Sequence, residues 1–324
     1  MSDPRFSVIV PTRGDAGRLA AFLESFTRQT VSNDRRELIV VFDGATPDAA
    51  LSSRLAELGA RVIRRERRAG PGAARNAGAA AAHGEFLAFT EDDVTPAPDW
   101  LERAAARLDA DPTLDVLEGA TLKPGGRPVR VLGDGGHAWL PTNLFVRRAL
   151  FARVGGYHEG FFDLDRAVYF REDSDFGFTL EETGARIGMA PDACVTHPDE
   201  HPGWLDPLRW ARRYEMDALL ASRHPKLFRE RIEVHRLGPL RIRRPIVRAA
   251  WVCVLAIVIA LLAPLLGRRE VTMPLLILAG AAYLPIWAKW RFDPRKLPAA
   301  LAVPFVLVGS LVRGWVRVRT GVRR

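Results

Sequence analysis

Apolar residues in the first hundred positions form four short runs, and the segments between them have a helical pattern. The predicted strands are Phe6–Val10, Leu38–Phe42, Arg61–Arg64 and Phe86–Phe89. Between the first two strands, apolar residues recur every third or fourth position from Leu19 to Phe26, which predicts an amphipathic helix. Strands that alternate with helices predict a parallel sheet with right-handed crossovers. This half of the chain is therefore expected to be an α/β, nucleotide-binding unit.

Three consecutive acids, Glu91, Asp92 and Asp93, follow the fourth predicted strand. Carboxylates crowded at the end of a buried strand repel one another and lose hydration, so they need a cation or hydrogen-bond donors. The ligand crevice of an open α/β sheet lies at the carboxyl ends of its strands. The position favours a hard cation that bridges the acids to a phosphate. A solvated acidic turn is the alternative.

Two other loops in this half carry candidate binding groups. Asp43 ends the second strand and can accept hydrogen bonds from a base or ribose, or simply form a turn with Gly44. Arg75 lies in a glycine-rich stretch at a helix start, where it can hold a phosphate or lie on the surface. Neither a Gly-x-Gly-x-x-Gly pattern nor a P-loop follows the first strand, which disfavours a dinucleotide enzyme or an NTPase.

A second acidic cluster begins a later helix. Glu172, Asp173 and Asp175 precede an apolar segment that ends at Gly184. The helix macrodipole favours anions in the first turn, which is a structural alternative to a catalytic role.

The segment 114–147 is predicted to be strand-rich, with its last strand at 138–147. Short strands predicted at 187–195 lead to His197.

Two uncharged apolar runs of 18 residues occupy 249–266 and 271–288, each long enough to cross a bilayer core of about 30 Å. The expected domains are a catalytic domain at 1–222, a basic, amphipathic juxtamembrane linker at 223–248 and a membrane region at 249–324. The segment 297–312 is interrupted by proline, and a third crossing would export the basic tail. It is therefore expected to be re-entrant or interfacial.

The net charge of +9 is unevenly distributed. Residues 223–248 carry +7 and residues 289–324 carry +8, whereas residues 1–222 sum to −7. Basic charge that flanks apolar helices predicts anionic membrane lipids as partners and disfavours nucleic acid. The two cysteines, Cys194 and Cys253, lie in dissimilar surroundings, which disfavours a disulfide. The expected location is the inner cell membrane, with the catalytic domain in the cytoplasm.

Six motifs in order resemble those of the family 2 glycosyltransferases, whose catalytic domain has the GT-A fold. The resemblance covers roughly residues 5–220. The matching segments are Phe6–Arg13, Val41–Thr46 with Phe42 in place of an aspartate, Gly70–Gly78, Thr90–Asp93, Asn143–Arg148 with Gly155–Tyr157, and Glu172–Asp175 followed by His197.

The resemblance implies inverting transfer of a hexose-type sugar from a nucleoside-diphosphate donor. It makes Asp173 the base that takes the acceptor proton, and Glu172 the residue that places the acceptor. Asp93 and Asp92 would bind Mg²⁺ or Mn²⁺, with His197 as a further ligand. The other assigned residues are Pro11, Thr12, Arg13 and Asp43 at the nucleoside, Arg75, Glu91 and Asp92 at the diphosphate or ribose, and Asn143, Gly155, Gly156, Tyr157, Arg209 and Trp210 on the acceptor side.

Processive members of the family carry Gln-x-x-Arg-Trp, whereas this chain has Asp206 in place of the glutamine before Arg209 and Trp210. A non-processive enzyme is therefore expected, acting on a lipid-linked or other glycan acceptor near the membrane. A sugar-phosphate nucleotidyltransferase is one alternative, although it would carry a denser basic loop after the first strand. A membrane scaffold with an inactive transferase domain is another, and the acids that remain argue against it.

Overall fold

The computed structural model describes residues 3–129, 139–166, 168–199, 203–237 and 240–321. For 235–237 and 240–241 it describes the backbone only. Its contacts divide the chain into two compact units. The first comprises Met1–Ala167 and Glu172–Glu200, and the second comprises Val168–Arg171 and His201–Arg324.

The first unit is built on a mixed sheet, which has nine strands among the described residues, in the order β3-β2-β1-β4-β8-β6-β11-β5 with β7 beside β6. Strands β1 to β4 are parallel, and β8 runs antiparallel between β4 and β6. Its strands are β1 Phe6–Thr12, β2 Arg36–Asp43, β3 Arg61–Arg65, β4 Phe86–Phe89, β5 Thr95–Pro96, β6 Val116–Lys123, β7 Arg127–Pro128, β8 Leu144–Arg147 and β11 Ile187–Thr196. A short strand outside this sheet, β9 Phe162–Asp163, also belongs to the first unit. The predicted α/β class is confirmed, and strands β1 to β4 form the predicted parallel part of a sheet that is mixed as a whole.

Helices cover both faces of this sheet. They are α1 Ala16–Thr27, α2 Ala49–Glu57, α3 Pro71–Ala80, α4 Trp100–Ala110, α5 Arg148–Val154 and α6 Glu172–Glu182. Alternate residues of β1 are buried in separate cores: Val8 in one cluster and Ile9 in the other. The second cluster includes α3, where Gly78 permits close packing because a Cβ there would lie 2.5 Å from Ile9. Burial on both faces explains why the first strands read as continuous apolar runs.

Two predicted boundaries differ from the structure. The strand expected at 138–147 is formed only by β8, and Trp139 to Asn143 form the turn before it, while residue 138 and the expected loop at 133–136 lie outside the described residues. The expected short strands near residue 190 are one strand, β11, with an irregularity between Ala190 and Cys194. Each boundary is marked by a proline that the prediction did not use: Pro141 lies in the turn before β8, and Pro191 lies within the irregularity of β11.

The second unit contains helices and one hairpin. Its elements are β10 Val168–Tyr169, α7 Asp206–Arg213, α8 Asp217–Arg223, α9 Pro225–Leu227, β12 Val234–Leu237, β13 Leu240–Arg243, α10 Pro245–Leu262, α11 Thr272–Ala288 and α12 Leu297–Thr320. Antiparallel β12 and β13 form a hairpin within the basic stretch that was expected to be a linker.

Helix α12 packs against α7, α8 and α10. Gly314 allows the close approach, since a Cβ there would lie 2.2 Å from the Glu215 carbonyl oxygen. Arg317 Nη1 lies 2.5 Å from Glu215 Oε1. The helix continues eight residues beyond the segment predicted to end at Val312, so the first arginines of the expected tail are helical.

Candidate active site

Three side chains that follow two strands of the first unit converge at one edge of the sheet. Glu91 and Asp93 follow β4, and His197 follows β11. His197 Nε2 lies 3.6 Å from Glu91 Oε2 and 3.8 Å from Asp93 Oδ1. One donor atom from each residue falls within 4.8 Å of the other two. These three residues can therefore contribute ligands to one divalent cation.

The chemistry of this donor set fits Mg²⁺ or Mn²⁺. Carboxylate oxygens suit hard cations, and an imidazole ligand favours the transition metal of the two. His197 Nδ1 lies 2.8 Å from the Pro198 carbonyl oxygen, which also accepts from Lys123 Nζ at 2.9 Å. A proton on Nδ1 that is donated to this carbonyl leaves the Nε2 lone pair available for a metal.

Asp92 lies between two of these residues in sequence, but its carboxylate contacts β1. Asp92 Oδ2 accepts a hydrogen bond of 2.6 Å from the buried Thr12 hydroxyl. Burial raises the pKa of Asp92, and the hydrogen bond from Thr12 opposes that rise. The structure thus groups Glu91 with Asp93 and His197, whereas the sequence assigned Asp92 to both the metal and the donor, and Glu91 to the donor. The metal and donor contacts of Asp92 and the donor contact of Glu91 stay predictions. Adjacent acids in a turn give no sequence signal for the directions of their side chains.

A buried arginine connects this cluster to the second acidic motif. Arg75 is 2% exposed, and its Nη1 and Nη2 atoms lie 3.2 Å from Glu172 Oε1 and 3.6 Å from Glu91 Oε1. Its guanidinium also lies 5.4 Å from the centre of the Tyr157 ring. The burial excludes the surface-arginine interpretation. A contact between Arg75 and a diphosphate stays a prediction.

Burial perturbs the acids that Arg75 holds. Burial raises the pKa of Glu172 to about 7, and the Arg75 charge limits the rise. Burial likewise raises the pKa of Glu91, where Arg75 opposes the effect and Asp93 adds to it. The Tyr157 hydroxyl is buried without a hydrogen-bond partner among the described residues, and burial raises its pKa. Perturbed acids that cluster in this way are typical of functional sites.

Asp173 lies in the first turn of α6, immediately after Glu172. Its Oδ1 atom accepts hydrogen bonds from the Ser174 N–H at 2.7 Å and the Ser174 hydroxyl at 3.3 Å. Its other oxygen, Oδ2, has no hydrogen-bond partner among the described residues. The side chain is half-buried, so one oriented carboxylate oxygen is left for another molecule.

The residues assigned to the nucleoside lie at the ends of β1 and β2. Pro11 and Thr12 end β1, and Arg13 follows it with an exposed side chain. Asp43 is 5% exposed, and its two oxygens accept from the backbone N–H groups of residues 69 and 70 at 2.9 and 2.8 Å. Asp43 therefore fixes the loop that leads to α3. A nucleoside contact for these residues stays a prediction.

Asn143, assigned to the acceptor side, has its amide fully engaged inside the fold. It is 1% exposed, and its Oδ1 accepts from Trp100 Nε1 at 2.8 Å. Its Nδ2 donates to the carbonyl oxygens of Ala120 and Ala193 at 2.9 and 2.8 Å. These bonds hold β6, β11 and the turn before β8 together, and they give Asn143 a structural role. An additional acceptor contact stays a prediction.

The glycine pair before Tyr157 also has a local structural reason. Gly155 and Gly156 adopt φ values of 83° and 70°, where glycine is favoured. A Cβ on Gly156 would lie 2.6 Å from Asn76 Oδ1, which accepts from the Tyr157 N–H at 2.8 Å. The Tyr157 ring stacks on Phe176 of α6 with centroids 4.4 Å apart. This segment therefore packs against α6, the helix that begins at Glu172. Its acceptor role stays a prediction.

The other two acceptor-side residues, Arg209 and Trp210, lie on α7 in the second unit. Arg209 is exposed, and its Nη1 lies 3.2 Å from Asp206 Oδ1. The Trp210 ring packs on Tyr214 with centroids 4.7 Å apart, and Lys289 Nζ lies 4.6 Å from its centre. These contacts fix the tryptophan within its own unit, and the acceptor role stays a prediction.

Sequence reasoning missed two polar neighbours of the cation cluster. The Thr142 hydroxyl donates to Glu91 Oε2 at 3.1 Å, and Arg18 Nη1 lies 3.4 Å from Asp93 Oδ2. Thr142 precedes a strand that runs antiparallel to β4, which is a weak signal for this edge. Arg18 lies on the polar side of α1, and nothing in the sequence indicated that it would lie near Asp93.

The mixed sheet and its acid-bearing edge define a GT-A type domain, and comparisons with known proteins agree. Residues 7–176 match "Glycosyl transferase family 2". The chain belongs to this family. It is 31% identical over 241 residues to "Pre-mycofactocin glycosyltransferase" of Mycobacterium tuberculosis, a match that covers 68% of this chain. The match covers 48% of that relative, so the chain spans about half of its length.

Solved structures agree on the fold. The crystal structure of S. aureus TarS 1-349 aligns with a TM-score of 0.53 and 20% identity, covering 98% of this chain and 92% of that one. The mannosyltransferase PcManGT from Pyrobaculum calidifontis, in complex with GDP-Man and Mn²⁺, aligns with a TM-score of 0.52 and 19% identity, covering 98% and 87%. At these identities the likeness concerns the fold alone.

Proposed function

We propose that this protein is an inverting, metal-dependent, non-processive glycosyltransferase that moves a sugar from a nucleoside-diphosphate donor to a membrane-proximal acceptor. The observation that carries the proposal is the connection of two acidic groups through Arg75, which contacts Glu91 on one side and Glu172 on the other. The Glu91 group suits a cation that faces a diphosphate, and the Glu172 group includes the candidate base Asp173.

The proposed step is a single displacement at the anomeric carbon. The acceptor oxygen forms a bond to this carbon as the bond to the diphosphate oxygen breaks, and the hydroxyl proton passes to Asp173. The hydrogen bonds from Ser174 orient the Asp173 carboxylate for this transfer. Glu172, held by Arg75, positions the acceptor. A Mg²⁺ or Mn²⁺ ion bound by Glu91, Asp93 and His197 would supply Lewis-acid stabilisation to the leaving diphosphate.

The C-terminal helices support association with a membrane. In the described part of the chain, three helical segments are long and apolar enough to cross one: Pro245–Leu266, Arg269–Ala288 and Pro294–Thr320. Only 28% and 11% of the first two windows are buried within the protein, against 50% of the third. The first two therefore suit a bilayer, whereas the packing of α12 on α7 and α8 favours an interfacial position for it.

This arrangement keeps both basic stretches in the cytoplasm with the catalytic domain, beside anionic lipids and a lipid-linked or other glycan acceptor. An Arg313→Cys variant lacking Cys194 and Cys253 tests the orientation with a membrane-impermeant maleimide. Labelling is expected in inverted membrane vesicles. Equal labelling in right-side-out vesicles would place this helix end outside and contradict the orientation.

A thermal-shift panel of nucleoside-diphosphate sugars, with and without Mn²⁺, tests the donor side of the proposal. It should include UDP-GlcNAc and GDP-mannose, the sugar nucleotides bound in the TarS and PcManGT structures. At least one donor is expected to raise Tm in the presence of Mn²⁺ and to lose most of this effect with EDTA. The stabilising donor is then incubated with the protein and a membrane lipid extract. Stabilisation by no donor, or transfer that continues in EDTA, contradicts the proposal.

A further inference from the structure

A groove with a volume of about 490 Å³ lies in the second unit, between the start of α10 and the last turns of α12. Arg243, Arg248 and Arg319 line it and have exposed side chains. Among the described residues, none of these three arginines has an ion-pair or hydrogen-bond partner for its guanidinium. Glu233 is the only acid among the lining residues, so this arginine groove, as we call it, is strongly positive.

A fourth lining arginine, Arg244, has a different role. It forms a salt bridge with Asp217, which is 2% exposed. Its guanidinium also lies 5.5 Å from the Tyr214 ring centre and 5.6 Å from that of Phe228. Arg244 therefore anchors the start of α10. Arg243, Arg248 and Arg319 have no such contacts with the side chains that the structure describes, and their charges remain available to a ligand.

The rest of the arginine groove is apolar and aromatic. Val247 and Leu311 contribute aliphatic surface, and Trp251 and Trp315 are 37% and 45% exposed. Tryptophan beside arginine at the end of apolar helices is typical of the membrane–water interface. A free anion would use only the arginines, whereas an amphiphile with an anionic head would use both surfaces.

We propose that the arginine groove binds the phosphate head group of an anionic membrane lipid. The guanidinium groups of Arg243, Arg248 and Arg319 would donate charge-assisted hydrogen bonds to the phosphate oxygens. The first methylene groups of the lipid would lie against Val247, Leu311 and the indole rings. The proposal needs a membrane or micelle but does not depend on sugar transfer, so the two proposals can fail separately.

The test uses the full chain in neutral dodecyl maltoside micelles, with dodecyl phosphate as the probe and native mass spectrometry as the readout. One dodecyl phosphate is expected to bind per chain. The double variant Arg248→Gln/Arg319→Gln should weaken binding at least about tenfold, because each arginine contributes charge-assisted hydrogen bonds. A matched control, Arg291→Gln/Arg313→Gln, removes the same charge outside the groove and should change binding less than about twofold.

Two further probes separate the possible sources of binding. Dodecanol lacks the phosphate and inorganic phosphate lacks the chain, so each is expected to bind at least about tenfold more weakly than dodecyl phosphate. Equal binding of either probe would overturn the lipid assignment, and equal weakening by the control variant would overturn the site.

Thermal unfolding verifies that each variant is folded. If the double variant unfolds, the single variants carry the test, each with an expected weakening of about threefold. Retained tight binding in both single variants would also overturn the proposal. Loss of transfer with intact lipid binding would count against the proposed function alone.

Discussion

The arginines of the two units differ in burial and in charge compensation. Arg75 is buried in the first unit, between Glu91 and Glu172, and its charge is compensated within the protein. Arg248 and Arg319 in the second unit are exposed and have no acidic partner among the described residues. The buried arginine therefore holds two carboxylates of the protein in place, whereas the exposed arginines can bind a negatively charged ligand.

The largest expected effect tests whether the acids near Arg75 perform chemistry. Asp173→Asn removes the proposed base and should lower transfer by about 10²- to 10⁴-fold, the usual contribution of general base catalysis. Donor binding in the thermal-shift assay should be unchanged. Asp192→Asn, at a side chain that is 58% exposed, serves as the control and should keep full activity. Turnover by Asp173→Asn at the wild-type rate would remove this residue as the base.

The comparison of the arginines is tested next by stability. Arg75→Met leaves the buried Glu172 carboxylate and the half-buried Glu91 carboxylate without their cation and should lower the free energy of unfolding by about 3–5 kcal/mol. Arg319→Met, which removes an exposed and unpaired charge, should change it by less than about 0.5 kcal/mol. Chemical denaturation in neutral detergent measures both. Similar losses of unfolding free energy in the two variants would contradict the distinction between a compensated buried arginine and an unpaired exposed one.

The raised pKa of Glu172 predicts a pH dependence. Because this pKa rises from 4.5 to about 7 on folding, the folded protein holds a proton in this window that the unfolded chain releases. Its stabilising contribution is present below pH 4.5 and is lost as the pH rises through 7. Relative to Glu172→Gln, the free energy of unfolding should fall by up to about 3 kcal/mol between these limits. Parallel pH profiles for the two proteins would show that the Glu172 pKa is not raised.

A smaller effect distinguishes structural from acceptor-side residues. Asn143→Ala removes the acceptor of the buried Trp100 N–H and one hydrogen bond to each of the Ala120 and Ala193 carbonyl oxygens. It should lower the free energy of unfolding by about 2 kcal/mol. The KM for the acceptor should remain unchanged when the assay is run well below the unfolding temperature. An increased KM with unchanged stability would support the acceptor-side assignment of Asn143 instead.

The sequence predicted the framework because burial leaves a strong pattern. The apolar runs at β1, β2 and β4 and the spacing in α1 correspond to observed elements, and the acids that follow β4 lie at the predicted sheet edge. Family motifs added Asp173 and His197, which composition alone could not have selected.

The sequence could not predict the directions in which the site side chains point. Nothing in Glu91-Asp92-Asp93 indicates that the central acid bonds to Thr12 while its neighbours face His197. Long-range partners were equally hidden: Arg75 and Glu172 are 97 residues apart, and only the folded sheet brings them together. The same holds for the arginine groove, whose walls come from two helices separated in the chain.

Manganese binding tests the central assignment most directly. Electron paramagnetic resonance of the full chain with Mn²⁺ and the donor selected by the thermal-shift panel should report one tightly bound ion. Asp93→Asn should weaken this binding at least about tenfold, because a charged ligand is lost. Asp192→Asn should leave it unchanged. Wild-type affinity for Mn²⁺ in the Asp93→Asn protein would contradict a metal site formed by Glu91, Asp93 and His197.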